Sequence, residues 1–292
     1  MFKGAITAIV TPFTKHGEID SAALRKLVEF QLKNGIDGIV PCGTTGERPT
    51  LDHEEHEKVF KEVIGAVDGK VPVIAGTGGN STKKVIEMTR LAKELGADAS
   101  LQVCPYYNKP TQEGLYRHFS AIADAIDIPL VIYNIQGRTG VNMETSTLAR
   151  LAKEHSNIVA VKEASGNLPQ MMDVLSALPK SFTVLSGDDN MTLPLMALGG
   201  KGVISVASNI IPKEMHELAE LALNGKWDKA RELHFRLLPL FKGIFIETNP
   251  IPIKAALAMK GIVQENYRLP MCGMNEENRE KLRKMLNELK VI

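Results

Sequence analysis

One lysine in this sequence stands where few lysines do. Lys162 follows the apolar run Ile158-Val159-Ala160-Val161 and precedes Glu163-Ala164-Ser165-Gly166. Most lysines lie on solvated faces, but one at the end of a buried strand loses hydration. Desolvation lowers its pKa from about 10.4 and leaves a neutral amine able to attack a carbonyl. A second strand-like run, Leu130-Val131-Ile132, ends in Tyr133, whose phenol can pass protons as an imine forms and breaks; simple packing is the plainer use of such a tyrosine. Arg138 follows in the glycine-flanked loop Gly137-Arg138-Thr139-Gly140, and its rigid fork suits a carboxylate or, more plainly, a surface salt bridge. The stretch Cys42-Gly43-Thr44-Thr45-Gly46-Glu47 could aim backbone N–H groups and hydroxyls at an anion. A tight turn alone would explain its glycines but not two consecutive threonines.

Other motifs carry less. Gly76-Thr77-Gly78-Gly79-Asn80-Ser81 lacks the third glycine of a dinucleotide fingerprint, and Asp98 falls before the next strand instead of at its far end. The run after Cys42 lacks the Gly-Lys-Ser/Thr of a P-loop. His53-Glu54-Glu55-His56 has histidines three apart, not the zincin spacing, and reads as a polar helix face. Cys42 has no evident histidine base, which argues against a thiol nucleophile.

The elements that must position these groups recur eight times. Strand-like runs span Ala5 to Val10, Ile36 to Pro41, Val71 to Ala75, Ala99 to Val103, Pro129 to Tyr133, Ile158 to Val161, Phe182 to Leu185 and Gly202 to Val206. Most are apolar throughout, as strands covered on both faces should be. Helical stripes lie between them, such as Leu24, Leu27, Val28, Leu32 and Val85, Met88, Leu91, Ala92, Leu95. Asp52 with Glu55 forms a capping-box pattern, Ser81 can cap the next helix, and Gly35 and Gly96 sit where helices end. Eight β-then-α units predict a parallel α/β sheet closed into a TIM (β/α)8 barrel, with an open doubly wound sheet as the rival. From about Pro212 the pattern is helical only. We divide the chain into a barrel over residues 1–224 and a C-terminal helical extension over 225–292 packed on it. Reactive groups of such a barrel sit at the C-terminal ends of its strands.

The 292 residues hold 35 basic and 34 acidic side chains, a net charge of +1, which argues against nucleic acid or an anionic membrane as partner. No apolar run approaches the roughly 20 residues of a membrane span. The start, Met1 to Thr7, runs into a strand-like segment and predicts no signal peptide. Three scattered cysteines, Cys42, Cys104 and Cys272, show no disulfide or metal spacing and fit a reduced cytoplasmic setting.

With these residues in view the chain resembles the dihydrodipicolinate synthase family, within the N-acetylneuraminate lyase superfamily. The likeness runs from the first strand to about Pro270. It rests on Gly43-Thr44-Thr45-Gly46-Glu47, Pro105-Tyr106-Tyr107-Asn108-Lys109-Pro110, Tyr133-Asn134 with Gly137-Arg138-Thr139-Gly140, Val161-Lys162-Glu163-Ala164, Ser186-Gly187-Asp188-Asp189 and Asn249-Pro250-Ile251-Pro252. The resemblance implies condensation of pyruvate with L-aspartate 4-semialdehyde, opening the diaminopimelate–lysine pathway, by a lyase that needs no metal or organic cofactor. It assigns the imine to Lys162 and a proton relay to Tyr133, Thr44 and Tyr107, the last reaching in from a neighbouring subunit of a homotetramer built as a dimer of dimers. Thr44 and Thr45, with Gly187 and the Ile204 backbone, would hold pyruvate, and Arg138 the carboxylate of the semialdehyde. A sister pyruvate-dependent aldolase, acting on N-acetylneuraminate or a 2-keto-3-deoxy acid, would share Lys162 and Tyr133 but lack the arginine. A non-catalytic binding barrel would lack Lys162 or Tyr133.

Two departures stand out. Gln136 occupies a position where the family has proline, which would fix φ near −65°, so the loop holding Arg138 is expected to be looser. In lysine-inhibited relatives an effector cleft lies at the dimer interface, and His53, His56, Asn80 and Tyr106 match it. Arg48, however, replaces a serine there, and Lys84 replaces an acid. Two added positive charges repel a cationic ligand. Feedback by lysine is expected to be weak or absent, and inhibition by sub-millimolar lysine in a steady-state assay would refute this.

Overall fold

Eight short parallel strands form the centre of the molecule, whose computed structural model describes residues 2–292. They are β1 (Gly4–Ala8), β2 (Gly38–Val40), β3 (Ile74–Gly76), β4 (Ala99–Val103), β5 (Leu130–Asn134), β6 (Ile158–Glu163), β7 (Thr183–Ser186) and β8 (Gly202–Ser205). Neighbours run β2-β1-β8-β7-β6-β5-β4-β3, and the ends of that order meet. Ile39 pairs with Val73 in a parallel bridge, and the Gly76 N–H donates to Pro41 O at 2.9 Å. The sheet is thus a closed TIM barrel, not an open doubly wound sheet.

The surrounding helices are α1 (Ser21–Lys33), α2 (His53–Val67), α3 (Thr82–Glu94), α4 (Gln112–Ala125), the single turn α5 (Gln136–Thr139), α6 (Thr145–Glu154), α7 (Leu168–Ala177), α8 (Thr192–Ala197) and α9 (Pro212–Leu223). Then come α10 (Trp227–Gly243), α11 (Ile251–Met259) and α12 (Glu276–Glu288). The Asp52 carboxylate accepts from Glu55 N, and Glu55 reaches back to Asp52 N, completing the expected capping box. Gly35 and Gly96 adopt the left-handed φ that ends a helix. Ser81 does precede α3, but its hydroxyl makes no capping bond, and nothing in the surrounding geometry explains that.

Every expected run becomes a strand, and one boundary matters chemically. β6 continues beyond its apolar stretch through Lys162 and Glu163, because both residues keep their register with β5 and β7. Alternation along the strand sends Ala160 and Lys162 into the barrel. Ala160 joins Ile6, Val40, Ile74, Leu101, Val131, Leu185 and Ile204 in the interior cluster. Val161 points outward into the helix-facing core.

The extension shares one core with the barrel: Leu233, Leu237, Phe241, Ile253, Leu282 and Leu286 pack in the same cluster as Ile9, Val10, Val59 and Phe60. A buried ion pair joins the two parts. Lys254 of α11 sits 2.5 Å from Glu47 Oε1, with side chains 0% and 1% exposed. Phe13 lies against Lys254 Nζ at 4.3 Å and against the Arg268 guanidinium at 4.5 Å. Breaking a buried pair leaves one charge uncompensated, whereas replacing both charges avoids that penalty. Glu47→Gln is expected to lower unfolding stability by about 3 kcal/mol, and Glu47→Gln with Lys254→Met by clearly less, as read by urea denaturation.

Candidate active site

Lys162 is only 5% exposed, and among the described residues its amine makes no hydrogen bond or ion pair. Burial lowers its pKa to about 8, against the opposing pull of Asp188 and Asp189 and with a smaller push in the same direction from Arg138. Asp188 itself is raised to about 6, mainly by burial. At pH 7 about one Lys162 in ten is therefore neutral, against about one in three thousand for an ordinary lysine. The shape of the neighbouring backbone admits this side chain. A Cβ on Gly187 would lie 2.5 Å from the Ala164 Cβ and 3.1 Å from Lys162 Cε, so the β7 loop passes close to the lysine only because residue 187 is glycine.

Tyr133 is the register partner of Lys162 on β5, and Lys162 Nζ lies 4.1 Å from its ring centroid. Burial pushes the phenol pKa up, with Arg138 and the neighbouring Thr44 hydroxyl pulling it back. Tyr133 and Thr44 line a cavity of about 220 Å³ together with Cys42, Gly43, Arg48 and Arg138. Lys162 does not line it; the Tyr133 ring joins the two. Cys42 is fully buried and its thiol pKa is raised, so it offers no thiolate.

The segment from Cys42 to Glu47 is a tight turn bracketed by two non-glycine residues with left-handed φ, Cys42 and Glu47. The N–H groups of Gly46, Glu47 and Arg48 bond back within it to Gly43 and Thr44 carbonyls. Those of Gly43, Thr44 and Thr45 find no acceptor among the described residues, and so remain available to a ligand. Besides the Lys254–Glu47 pair, two further contacts fix the turn from outside. Thr11 donates to Gly46 O at 2.7 Å, and Asn249 Nδ2 donates to Thr45 Oγ1 at 3.0 Å.

Arg138 lies on α5, where Gln136 occupies the first helical position. That position suits proline, but its N–H has no intrahelical partner in any case. Arg138 N and Thr139 N both donate to Ile135 O at 3.0 Å, so the turn is a hydrogen-bonded one. The guanidinium donates to Asn249 O at 3.2 Å and retains free donors toward the cavity.

The remaining candidates scatter. Ile204 on β8 is buried in the barrel interior. Tyr107 is 90% exposed in a left-handed conformation and does not enter the Thr44–Tyr133 cavity of its own chain. Arg48 and Tyr106 line that cavity, and Arg48 is held by Gly76 O at 3.1 Å and Thr77 O at 3.0 Å. Asn80 donates to Tyr106 O at 3.2 Å, while His53 and Lys84 are exposed. His56 is buried against Asp52 O, and burial lowers its pKa to about 4, so it leaves the polar face expected for its helix.

For three groups sequence reasoning assigned no role, although Asp189 and Asn249 stand in motifs that carry the family resemblance. Asp189 joins the ends of β7 and β8 by accepting from Ser205 Oγ, Val206 N and Ala207 N. Asn249 touches Thr45 and Arg138 at once. Lys254 carried a readable signal: it is the single charge in the apolar helix Ile-Pro-Ile-Lys-Ala-Ala-Leu-Ala-Met.

Among the described residues there is no group of three or more His, Cys, Asp or Glu side chains placed to hold a metal, and no helix long and apolar enough to cross a membrane. The model of the dihydrodipicolinate synthetase family matches residues 1–289. A 4-hydroxy-tetrahydrodipicolinate synthase of Syntrophus aciditrophicus is 57% identical over the full length of both chains. The dihydrodipicolinate synthase of Aquifex aeolicus superposes with a TM-score of 0.98 at 51% identity, covering 99% of each chain. That of Thermotoga maritima superposes with a TM-score of 0.98 at 46% identity over the whole of both chains. A family match of this extent, on a barrel with this arrangement of strand ends, makes the chain a member of the dihydrodipicolinate synthetase family, a family of TIM-barrel lyases.

Proposed function

We propose that this chain condenses pyruvate with L-aspartate 4-semialdehyde through an imine on Lys162, the step that opens the diaminopimelate route to lysine. The observation that carries this reading is one uncommitted buried amine joined through the Tyr133 ring to a nest of uncommitted N–H donors. Neutral Lys162 adds to pyruvate C2, and the carbinolamine loses water to give the imine. Once protonated, the imine draws electrons from the methyl carbon, which loses a proton and attacks the aldehyde carbon. The amine of the semialdehyde then closes on C2 and expels Lys162, so the enzyme is regenerated.

In this reading Tyr133 and Thr44 carry protons to and from the carbinolamine. Tyr107 completes the relay from a neighbouring subunit of a homotetramer, which gives its exposed ring a place to go. Thr44, Thr45, Gly187 and the Ile204 backbone hold the pyruvate carboxylate and keto group. Arg138 takes the carboxylate of the semialdehyde. None of these steps calls for a metal ion or an organic cofactor, and we assign none. We place the enzyme in the cytoplasm, and we keep the division into a barrel over residues 1–224 and an extension over 225–292, supported by the break between Leu223 and Trp227. Full-length relatives named as synthases disfavour the sugar-acid aldolase, and the presence of both Lys162 and Tyr133 disfavours a non-catalytic barrel.

Borohydride reduction in the presence of pyruvate is expected to place an adduct on Lys162 that mass mapping locates and that Lys162→Ala abolishes. Faster turnover of a sugar acid than of the semialdehyde would overturn the substrate assignment. Arg138→Ala is expected to lower kcat/KM for the semialdehyde by about ten- to a hundredfold, the loss of hydrogen bonds to a charged group, with pyruvate trapping unchanged. The rate of imine formation is expected to rise with pH and level off above about 8, since the nucleophile is the deprotonated amine. A rate still climbing at about pH 10, the range of an ordinary lysine, would show that the amine is not depressed.

A further inference from the structure

Thr45 is 2% exposed, and its hydroxyl takes part in one hydrogen bond among the described residues, as acceptor from Asn249 Nδ2 at 3.0 Å. A hydroxyl has one hydrogen to give. Because the amide occupies a lone pair, that hydrogen stays free, and it has no protein acceptor. An unsatisfied buried donor is costly unless a ligand meets it. Beside it lie the free N–H groups of Gly43, Thr44 and Thr45. The backbone carbonyl of the same asparagine accepts from Arg138 at 3.2 Å. One residue, far along the chain and outside the barrel strands, thus touches both groups read above as carboxylate binders.

We propose that Asn249 is a positioning residue that sets the direction of the Thr45 hydroxyl hydrogen, aiming it at the pyruvate carboxylate while its carbonyl holds Arg138 for the second carboxylate. The inference rests on the pyruvate reading and deepens it. A carboxamide is suited to this task because it donates to Thr45 without adding charge next to an anion. An aspartate of the same shape can only accept when ionised; it would capture the Thr45 hydrogen and set a negative charge against the substrate. The neighbouring Lys254–Glu47 pair braces the same contact, since Glu47 closes the threonine turn and Lys254 lies on α11, the helix that begins just after Asn249.

The test compares Asn249→Ala, Asn249→Asp, Thr45→Val and the double variant Asn249→Ala/Thr45→Val, each checked for folding by circular dichroism and for the Lys162–pyruvate adduct. Asn249→Ala frees the hydroxyl to rotate, and KM for pyruvate is expected to rise about tenfold with kcat changed less than about twofold. In the Thr45→Val background the same substitution should add almost nothing, because the pair acts as a unit. KM for the semialdehyde should move less, since the contact to Arg138 is made by backbone. Asn249→Asp should raise KM for pyruvate further at pH 8. Its ratio to the unaltered enzyme should fall as pH is lowered toward 6, when the buried acid regains a proton and donates again. A merely structural asparagine would show no such recovery.

Additive penalties in the double variant, or an Asn249→Asp ratio that does not change with pH, overturn the inference while leaving the pyruvate reading intact. So does near-normal pyruvate affinity in Asn249→Asp at pH 8, which would mean that Thr45 donates to residue 249 instead of accepting from it. If the unaltered enzyme forms no adduct with pyruvate, the functional reading fails and this inference falls with it.

Discussion

A neutral amine at near-neutral pH requires a place where water cannot solvate its charged form, and the rest of this structure follows from making that place. Lys162 is desolvated because β6 is an inner stave of a closed barrel and alternation turns its side chain to the interior. The neighbouring carboxylates are too few to cancel the effect. Asp189 is occupied in bridging β7 to β8, and Asp188 is itself raised by burial, so together they moderate the depression without abolishing it. Glycine at 187 lets the adjoining loop close over the lysine stem. The amine is therefore tuned by the barrel walls, not by a dedicated base.

The second half of the site is assembled by a different part of the chain. The threonine turn leaves β2 with two residues in left-handed conformations, an arrangement that persists only where surrounding structure over-determines it. That determination comes largely from the helical extension: Lys254 and the Arg268 N–H on the Glu47 carboxylate, and Asn249 on Thr45. A region that reads as a simple appendix thus braces the threonine turn from outside.

The barrel was legible from short apolar runs alone, because a parallel sheet covered on both faces leaves a strong pattern. Lys162 and Tyr133 were legible because they interrupt such runs at their ends. What the pattern did not reveal was the true end of β6, since a strand held by register can continue through charged residues such as Lys162 and Glu163. The inward turn of His56 was hidden by its polar neighbours. Asn249 and Asp189 stood in motifs of the family resemblance, but their roles were unreadable for another reason: they come from partners on other elements, and local periodicity carries no trace of a contact made across the molecule. Lys254 is the intermediate case, a charge in an apolar helix that announces burial but not its partner.

The separations involved have a consequence for how the molecule comes into being. Thr45 meets Asn249 across 204 residues, and Glu47 meets Lys254 across 207. During synthesis the N-terminal strands emerge from the ribosome long before the segment that clasps their threonine turn. A nascent chain carrying Lys162 and Tyr133 still lacks the residues that order the turn around Thr45. The order of that turn is therefore acquired late, when the last quarter of the polypeptide docks.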